Sequence, residues 1–243
     1  MNTVKRAIIM AAGTGSRMNP ITLDTPKPLV RVNGIRMIDT VIKALHQNKI
    51  NEIYIVVGYL KEKFETLKKD YPDIILIENP YYSQCNNISS LYVAREHIED
   101  AIILDGDQII YNPDILTPNF EHSGYNCVWT NKPTNEWLLT VKEDIIQSCS
   151  RTGGNQGWQL YSVSRWNSSD GKQLKKHLEI EFEEKKNRQI YWDDIALFCY
   201  PNEYKLGIFK MNINDIIEID NLIELISLDS SYKKYIGAPN NEL

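Results

Sequence analysis

Apolar residues fall in short unbroken runs through the first half of the chain. Residues 7–12 (Ala-Ile-Ile-Met-Ala-Ala), 53–57, 74–77 and 101–104 show continuous hydrophobicity rather than alternation, as parallel strands buried on both faces do. Between them, Arg36 to Gln47 places Met37, Ile38, Val41, Ile42 and Leu45 at helical spacing, with Asn48 as a stop. Leu60 to Lys69 reads as a charged amphipathic helix and Ser90 to His97 as another. Strands alternating with helices predict right-handed crossovers and a Rossmann-like, mostly parallel α/β sheet with helices on both faces. Ligands of such sheets bind beyond the carboxyl ends of the strands. The glycines after Ala12 and the acids after Leu104 stand at two such ends and are expected to converge.

The pattern changes near Tyr125. Residues 125–130, 137–141 and 159–163 read as strands of antiparallel hairpins laid across the sheet. A long polar helix is expected from Asp170 to about Asn187, with Glu179, Glu181, Glu183, Glu184, Lys185 and Lys186 on a solvated face. Residues 216–219 read as a last strand and Asn221 to Leu228 as a closing helix. No internal repeat, low-complexity tract or linker divides the sequence. One unit over residues 1–243 is therefore expected, with a small antiparallel lid inserted at about 125–200.

Composition narrows the class without naming a function. The 243 residues carry 27 Lys plus Arg against 32 Asp plus Glu, a formal net charge of −5. The cations are dispersed, which argues against a nucleic-acid partner. Cys85, Cys127, Cys149 and Cys199 show neither metal-ligand spacing nor a disulfide framework. The apolar run behind Lys5-Arg6 is too short, and too soon interrupted by Arg17, for a signal peptide or a membrane span. A reduced, cytoplasmic enzyme with no membrane partner is the expectation.

The first strand empties into Gly13-Thr14-Gly15-Ser16-Arg17, and Thr25-Pro26-Lys27-Pro28 follows. A loop of small residues lets backbone amides approach an anion, and Arg17 and Lys27 add charge for a polyphosphate. A dinucleotide fingerprint would need a third glycine where Met18 stands, and a P-loop would need a Gly-Lys-Ser/Thr triplet. Gly-x-Gly-x-Arg with a delayed Pro-Lys-Pro resembles instead the signature of the sugar-phosphate and choline-phosphate nucleotidyltransferases. That resemblance implies the nucleotide-diphospho-sugar transferase type of fold. It also implies that Ala11, Ala12, Gly13, Thr14, Gly15, Arg17 and Lys27 bind a nucleoside triphosphate. Arg17 would then hold the β- and γ-phosphates, with Lys27 nearer the α-phosphate.

Two acidic groups suit such chemistry. Asp105-Gly106-Asp107 follows one strand and Glu218-Ile219-Asp220 ends another; residues two apart on a strand share a face. Departing pyrophosphate gathers negative charge, which Mg²⁺ held by carboxylates and phosphate oxygens neutralises. Asp107 and Asp220 are expected to form that clamp with Glu218 assisting, while Asp105 is assigned to the nucleotide. Asp220 also precedes a helix, where an N-cap is expected. The polar segment Gln84-Cys85-Asn86-Asn87-Ile88-Ser89 stands ahead of another helix. Its amides offer donor and acceptor to a base edge, so Gln84, Asn86, Asn87 and Ser89 are expected at the nucleotide. Simple capping by Asn87 or Ser89 is the alternative.

All five tryptophans lie between residues 129 and 192. Aromatic faces with carboxylates nearby hold ammonium and quaternary ammonium groups. Asn135-Glu136-Trp137 and Tyr191-Trp192-Asp193-Asp194 supply both, so Glu136, Trp137, Tyr191, Trp192, Asp193 and Asp194 are the expected acceptor site. Trp158 and Trp166 fit a lid core at least as well. Thr134-Asn135-Glu136-Trp137, Tyr191-Trp192-Asp193, and Asn86-Asn87 before Ser90-Leu91-Tyr92 resemble the bacterial choline-phosphate cytidylyltransferases. The resemblance covers nearly the whole chain. It implies transfer of CMP from CTP to phosphocholine with release of pyrophosphate, using Mg²⁺ and with Arg17, Lys27 and Asp107 as catalytic groups. A cytidylyltransferase for 2-aminoethylphosphonate or phosphoethanolamine is the first alternative. A sugar-1-phosphate nucleotidyltransferase and a non-catalytic nucleotide-binding domain follow it.

Overall fold

The computed structural model describes residues 1–236. Four parallel strands form its centre: β1 (Arg6–Ala11), β2 (Glu52–Val57), β3 (Ile74–Glu78) and β4 (Ala101–Asp105), in the spatial order β3-β2-β1-β4. β1 shows why these strands read as unbroken apolar runs. Ala7, Ile9 and Ala11 enter one core cluster, while Ile8, Met10 and the following Ala12 enter another on the opposite face. Helix α1 (Met37–Gln47) joins the first cluster through Ile38, Val41, Ile42 and Leu45, and Asn48 caps its end. Helices α2 (Ile88–Val93) and α3 (Ser168–Glu179) join the second through Ile88, Leu91, Leu174 and Leu178. Among the described residues no helix is long and apolar enough to cross a membrane.

Beyond β4 the chain adds β5 (Gln108–Ile110), β6 (Gly124–Thr130), β7 (Leu138–Lys142), β8 (Ile145–Ser150), β9 (Gly157–Trp166), β10 (Gly207–Lys210) and β11 (Ile216–Glu218), with α4 (Leu222–Leu228) after them. β9 runs antiparallel to β4, from Val163 opposite Leu104 to Trp166 opposite Ala101. Its other edge pairs with β6, and its beginning pairs with β7. β6 pairs with β10, β10 meets β8 at Gly207 and Ile145, and β8 pairs with β7. The expected hairpins therefore do not lie across the sheet. They extend it, and their pairings close on themselves.

Other sequence expectations change for local reasons. Lys61–Lys69 forms 3₁₀ turns rather than an α-helix, after Leu60 at φ 48°. Phe64 and Leu67, three apart, are its buried pair, which suits three residues per turn. The helix expected to reach Asn187 leaves α geometry after Glu179, where Ile180–Glu184 makes a π turn. Glu181 is thereby turned inward from the expected solvated face, and Lys185, Asn187 and Tyr200 donate hydrogen bonds to it. Strands β8 and β10 were not expected. β8 is half polar, and β10 has only four residues.

The register of the central strands fixes what meets at their ends. Met10 of β1 lies opposite Asp105 of β4, and the Gly106 amide donates to the Met10 carbonyl at 2.9 Å. The small-residue loop and the acidic turn thus emerge side by side. β11 pairs with β5, with Glu218 opposite Gln108, so the second acidic group is delivered to the first.

Candidate active site

The loop after β1 turns on Gly15. Its φ of 64° lies in the left-handed region, and a Cβ there would stand 2.9 Å from Lys27 Cβ and 3.1 Å from Thr22 Cγ2. Glycine suits the position on both counts. The Thr22 hydroxyl donates to the Gly15 carbonyl at 2.9 Å and fixes the turn. Ala11 and residues 13–17 line a cavity of about 240 Å³ together with Lys27, Asp107 and Asp220. Ala12 is packed in the core behind it.

Charges pair across this cavity. The Lys27 ammonium lies 2.6 Å from Asp107 Oδ2 and 3.3 Å from Asp220 Oδ1, and the residue is only 7% exposed. Burial alone would lower its pKa. The Asp107 charge and hydrogen bond, reinforced by Asp220 and Glu218, raise it above the ordinary lysine value. Arg17 donates to the same Asp220 oxygen at 2.8 Å and is otherwise exposed. The side chain that caps α4 belongs to Asn221, which accepts from the Glu224 amide at 3.0 Å. The Asp220 carboxylate is left to the two cations.

Asp105, Asp107 and Glu218 bring carboxylate oxygens within 4.8 Å of one another. Burial, and then the charge of Asp107 and its acidic neighbours, holds both Asp105 and Glu218 well above the carboxylate range. Asp107 Oδ1 is buried with no hydrogen-bond partner. Crowded acids and an orphaned oxygen fit a hard divalent cation, which takes oxygen ligands. The set expected from sequence was Asp107, Glu218 and Asp220. In the fold Asp105, rather than Asp220, stands with Asp107 and Glu218 in the cluster, and Asp220 Oδ1 pairs with Lys27 and Arg17.

A second cavity, of about 290 Å³, shares Arg17 and Asp220 with the first. Glu136, Trp137, Tyr191 and Asp193 form its other side. Trp137 and Tyr191 meet edge to face with ring centres 5.7 Å apart. Asp193 is buried, which pushes its pKa up to about 7 against the opposing pull of a hydrogen bond from the Tyr125 hydroxyl. Leu160 and Ser162 also line this cavity. Sequence reasoning missed both, although alternate residues of one strand share a face.

Several expected site residues turn elsewhere. Trp192 is 2% exposed and packs against Tyr125 and Trp166, with ring centres 6.2 and 6.1 Å away. Its large apolar area belongs to the core rather than to a cage. Asp194 is also buried: Oδ1 accepts from Arg151 at 2.6 Å and Oδ2 from the Tyr191 amide at 3.0 Å. The segment expected at the nucleobase also ties loops together. Asn86 Nδ2 donates to the Gln189 carbonyl at 3.1 Å, and the Gln189 side chain donates to the Gln84 carbonyl at 2.8 Å. Asn87 Oδ1 accepts from the Trp192 amide at 2.9 Å. Ser89 is buried, donating to the Asn86 carbonyl and accepting from Asn79. Of these four, Asn87 reaches the second cavity.

Comparison with known proteins gives this geometry a lineage. The model of the MobA-like NTP transferase domain matches residues 7–168. A 2-aminoethylphosphonate cytidylyltransferase from Lancefieldella rimae is 36% identical over 228 residues, 93% of this chain and 92% of that protein. A choline-phosphate cytidylyltransferase from Haemophilus influenzae is 36% identical over 222 residues, 89% of this chain and 92% of the relative. The solved structure of CTP:phosphocholine cytidylyltransferase from Streptococcus pneumoniae superposes with a TM-score of 0.85 at 30% identity, covering 94% of this chain and 99% of that one. On these matches the chain belongs to the MobA-like NTP transferase family and is a nucleotidyltransferase.

Proposed function

We propose that the protein transfers CMP from CTP to phosphocholine, releasing pyrophosphate and forming CDP-choline. The observation that carries this reading is the junction of the two cavities at Arg17 and Asp220. On one side stands a phosphate-sized loop with two cations. On the other stand Trp137 and Tyr191 beside Glu136 and Asp193, a surface suited to a cationic headgroup. Relatives named as cytidylyltransferases for choline phosphate and for an aminophosphonate support CTP as donor and such an acceptor.

The acceptor phosphate oxygen attacks the α-phosphorus of CTP. A new P–O bond forms as the bond to the bridging oxygen of the β-phosphate breaks, and its electron pair leaves with pyrophosphate. The attacking oxygen is already anionic near neutral pH, so no side chain need remove a proton. Catalysis then rests on positioning two anions and neutralising their charge. Arg17 exchanges Asp220 for the β- and γ-phosphates. Lys27, enclosed beside Asp107, holds charge near the α-phosphorus, where a preorganised cation acts most strongly. Asp105, Asp107 and Glu218 are the residues that would hold Mg²⁺, with Asp220 beside them. Bound there, the ion supplies charge neutralisation for the departing pyrophosphate. Both cavities draw on residues from 10 to 220, so the chain acts as one catalytic unit. We place it in the reducing cytoplasm, where CTP is available and free cysteines such as its four persist.

One observation favours a second acceptor. The carboxylates of Glu136 and Asp193 line the acceptor cavity, and a primary ammonium has N–H groups to offer them while a trimethylammonium has none. The second reading is therefore 2-aminoethylphosphonate or phosphoethanolamine. A pyrophosphate-release assay tests both, pairing CTP, UTP, dTTP and GTP with each cationic acceptor and with glucose 1-phosphate. Turnover confined to CTP with a cationic acceptor is expected. Turnover with glucose 1-phosphate and none with the others would overturn the assignment.

A further inference from the structure

The turn between β8 and β9 touches both walls of the acceptor cavity without lining it. Thr134 and Gly154 exchange two backbone hydrogen bonds of 3.0 Å each, which joins the turn to the loop carrying Glu136 and Trp137. The approach is tight: Gly153 sits at φ 69°, and a Cβ there would fall 1.9 Å from the Thr134 carbonyl oxygen. On the other side, Arg151 reaches the loop carrying Tyr191 and Asp193. Its guanidinium donates to Asp194 Oδ1 at 2.6 Å and lies 3.9 Å above the Phe198 ring, with the Trp137 ring centre 5.8 Å away. Asp194 Oδ2 in turn accepts the Tyr191 amide.

We propose that Arg151 is a positioning residue for the acceptor. Through Asp194 it holds the Tyr191–Asp193 loop against the Trp137 loop, so the two walls of the cavity keep one spacing. The inference rests on the acceptor reading given above. Trp137 and Tyr191 come from loops far apart in sequence, and a cation held between them needs each ring within about 6 Å. Arginine suits the task better than lysine, because one planar group both pairs with a carboxylate and lies flat on a ring. Asp194 is almost fully buried whereas Arg151 is about half exposed. The carboxylate is thus the fixed end of the tie, and loss of Arg151 leaves it uncompensated beside the Tyr191 amide.

The test compares wild type, Arg151→Ala and Arg151→Lys in the pyrophosphate-release assay with phosphocholine and with 2-aminoethylphosphonate. Hydrogen–deuterium exchange without substrate is measured in parallel. Arg151→Ala should raise the acceptor KM about tenfold, equivalent to about 1.4 kcal/mol of binding, and leave the KM for CTP unchanged. Arg151→Lys, which keeps the ion pair but loses the flat ring contact, should recover part of that loss. Amides 190–195 should exchange faster in Arg151→Ala and at an intermediate rate in Arg151→Lys. An equal rise in both KM values, a lysine variant as impaired as the alanine one, or unchanged exchange would overturn the proposal. Failure of the acceptor reading looks different. Wild type would then turn over neither acceptor, and the exchange data alone would decide whether Arg151 holds the loop.

Discussion

The donor and acceptor cavities share two residues and are built on opposite plans. The donor side leaves adjacent strand ends, where the pairing of Met10 with Asp105 fixes the distance between loop and acids. Its charges neutralise one another, Lys27 with Asp107 and Asp220, and Arg17 with Asp220. The acceptor side is assembled from separate loops, joined by the Thr134–Gly154 pair and the Arg151–Asp194 tie. The register of paired strands therefore holds the part of the site where in-line geometry is required, and two local ties between loops, one of backbone and one of side chains, hold the part that selects the acceptor. Loops on a rigid scaffold can vary without disturbing it. On that account acceptor choice can change while nucleotidyl transfer stays.

Lys27→Ala should break the donor side most severely, lowering kcat by about 10²–10³, as expected for loss of one preorganised group at developing charge. Thermal melting should change far less, and wild-type turnover in this variant would sink the role given to Lys27. Two glycine substitutions sharpen the contrast. Gly15→Ala and Gly153→Ala each strain the backbone by about 1–2 kcal/mol in left-handed geometry alone. The first should raise the KM for CTP and the second that for the acceptor; the reverse pattern would contradict the two-plan construction. Trp137→Ala should raise the acceptor KM by about two- to thirtyfold, the range of one cation–π contact, and an unchanged KM would remove Trp137 from the site.

The smallest effect is expected from Asp193. Burial raises its pKa from 3.8 to about 7, so across that window the folded chain keeps a proton that the unfolded chain has lost. This group's contribution to stability therefore falls as pH rises through the window and levels off above it. Acceptor binding runs the other way, since the ionised carboxylate attracts the cation: the acceptor KM should fall severalfold as pH rises through about 7. Asp193→Asn should flatten both profiles, and a pH dependence retained in full by that variant would assign it to another group.

Much of the donor half was legible in the sequence because its parts are local. The run at residues 7–12, the glycines, Arg17 and Lys27 stand in one stretch, and burial on both sheet faces shows directly as unbroken apolarity. The acceptor half was legible only in composition. Tyr191, Trp192, Asp193 and Asp194 were read as one group, yet Tyr191 and Asp193 line the cavity while Trp192 and Asp194 turn away. The four residues form a turn, with the Asp194 amide donating to the Tyr191 carbonyl at 3.1 Å, and nothing in the tetrapeptide says which of them face the ligand. The amides of residues 84–87 were hidden for another reason, since their partners lie in residues 188–192. Arg151 carries no signal in the sequence, because its partner Asp194 is 43 residues on.

The closed strand pairings beyond β4 also determine where this sheet can grow. Each of β6 to β10 has a neighbour on both sides, as do β4, β1 and β2. Among the described residues of that sheet, β3 alone presents an unpaired edge. Open edges invite pairing with another chain, and nearby charge discourages it. Here the edge is five residues long, exposes Ile75, and ends at Glu78 in an ion pair with Lys61. One end of this sheet is sealed by its own topology; the other is guarded by two side chains, and among the described residues edge-to-edge pairing of this sheet with a second copy has one place to begin.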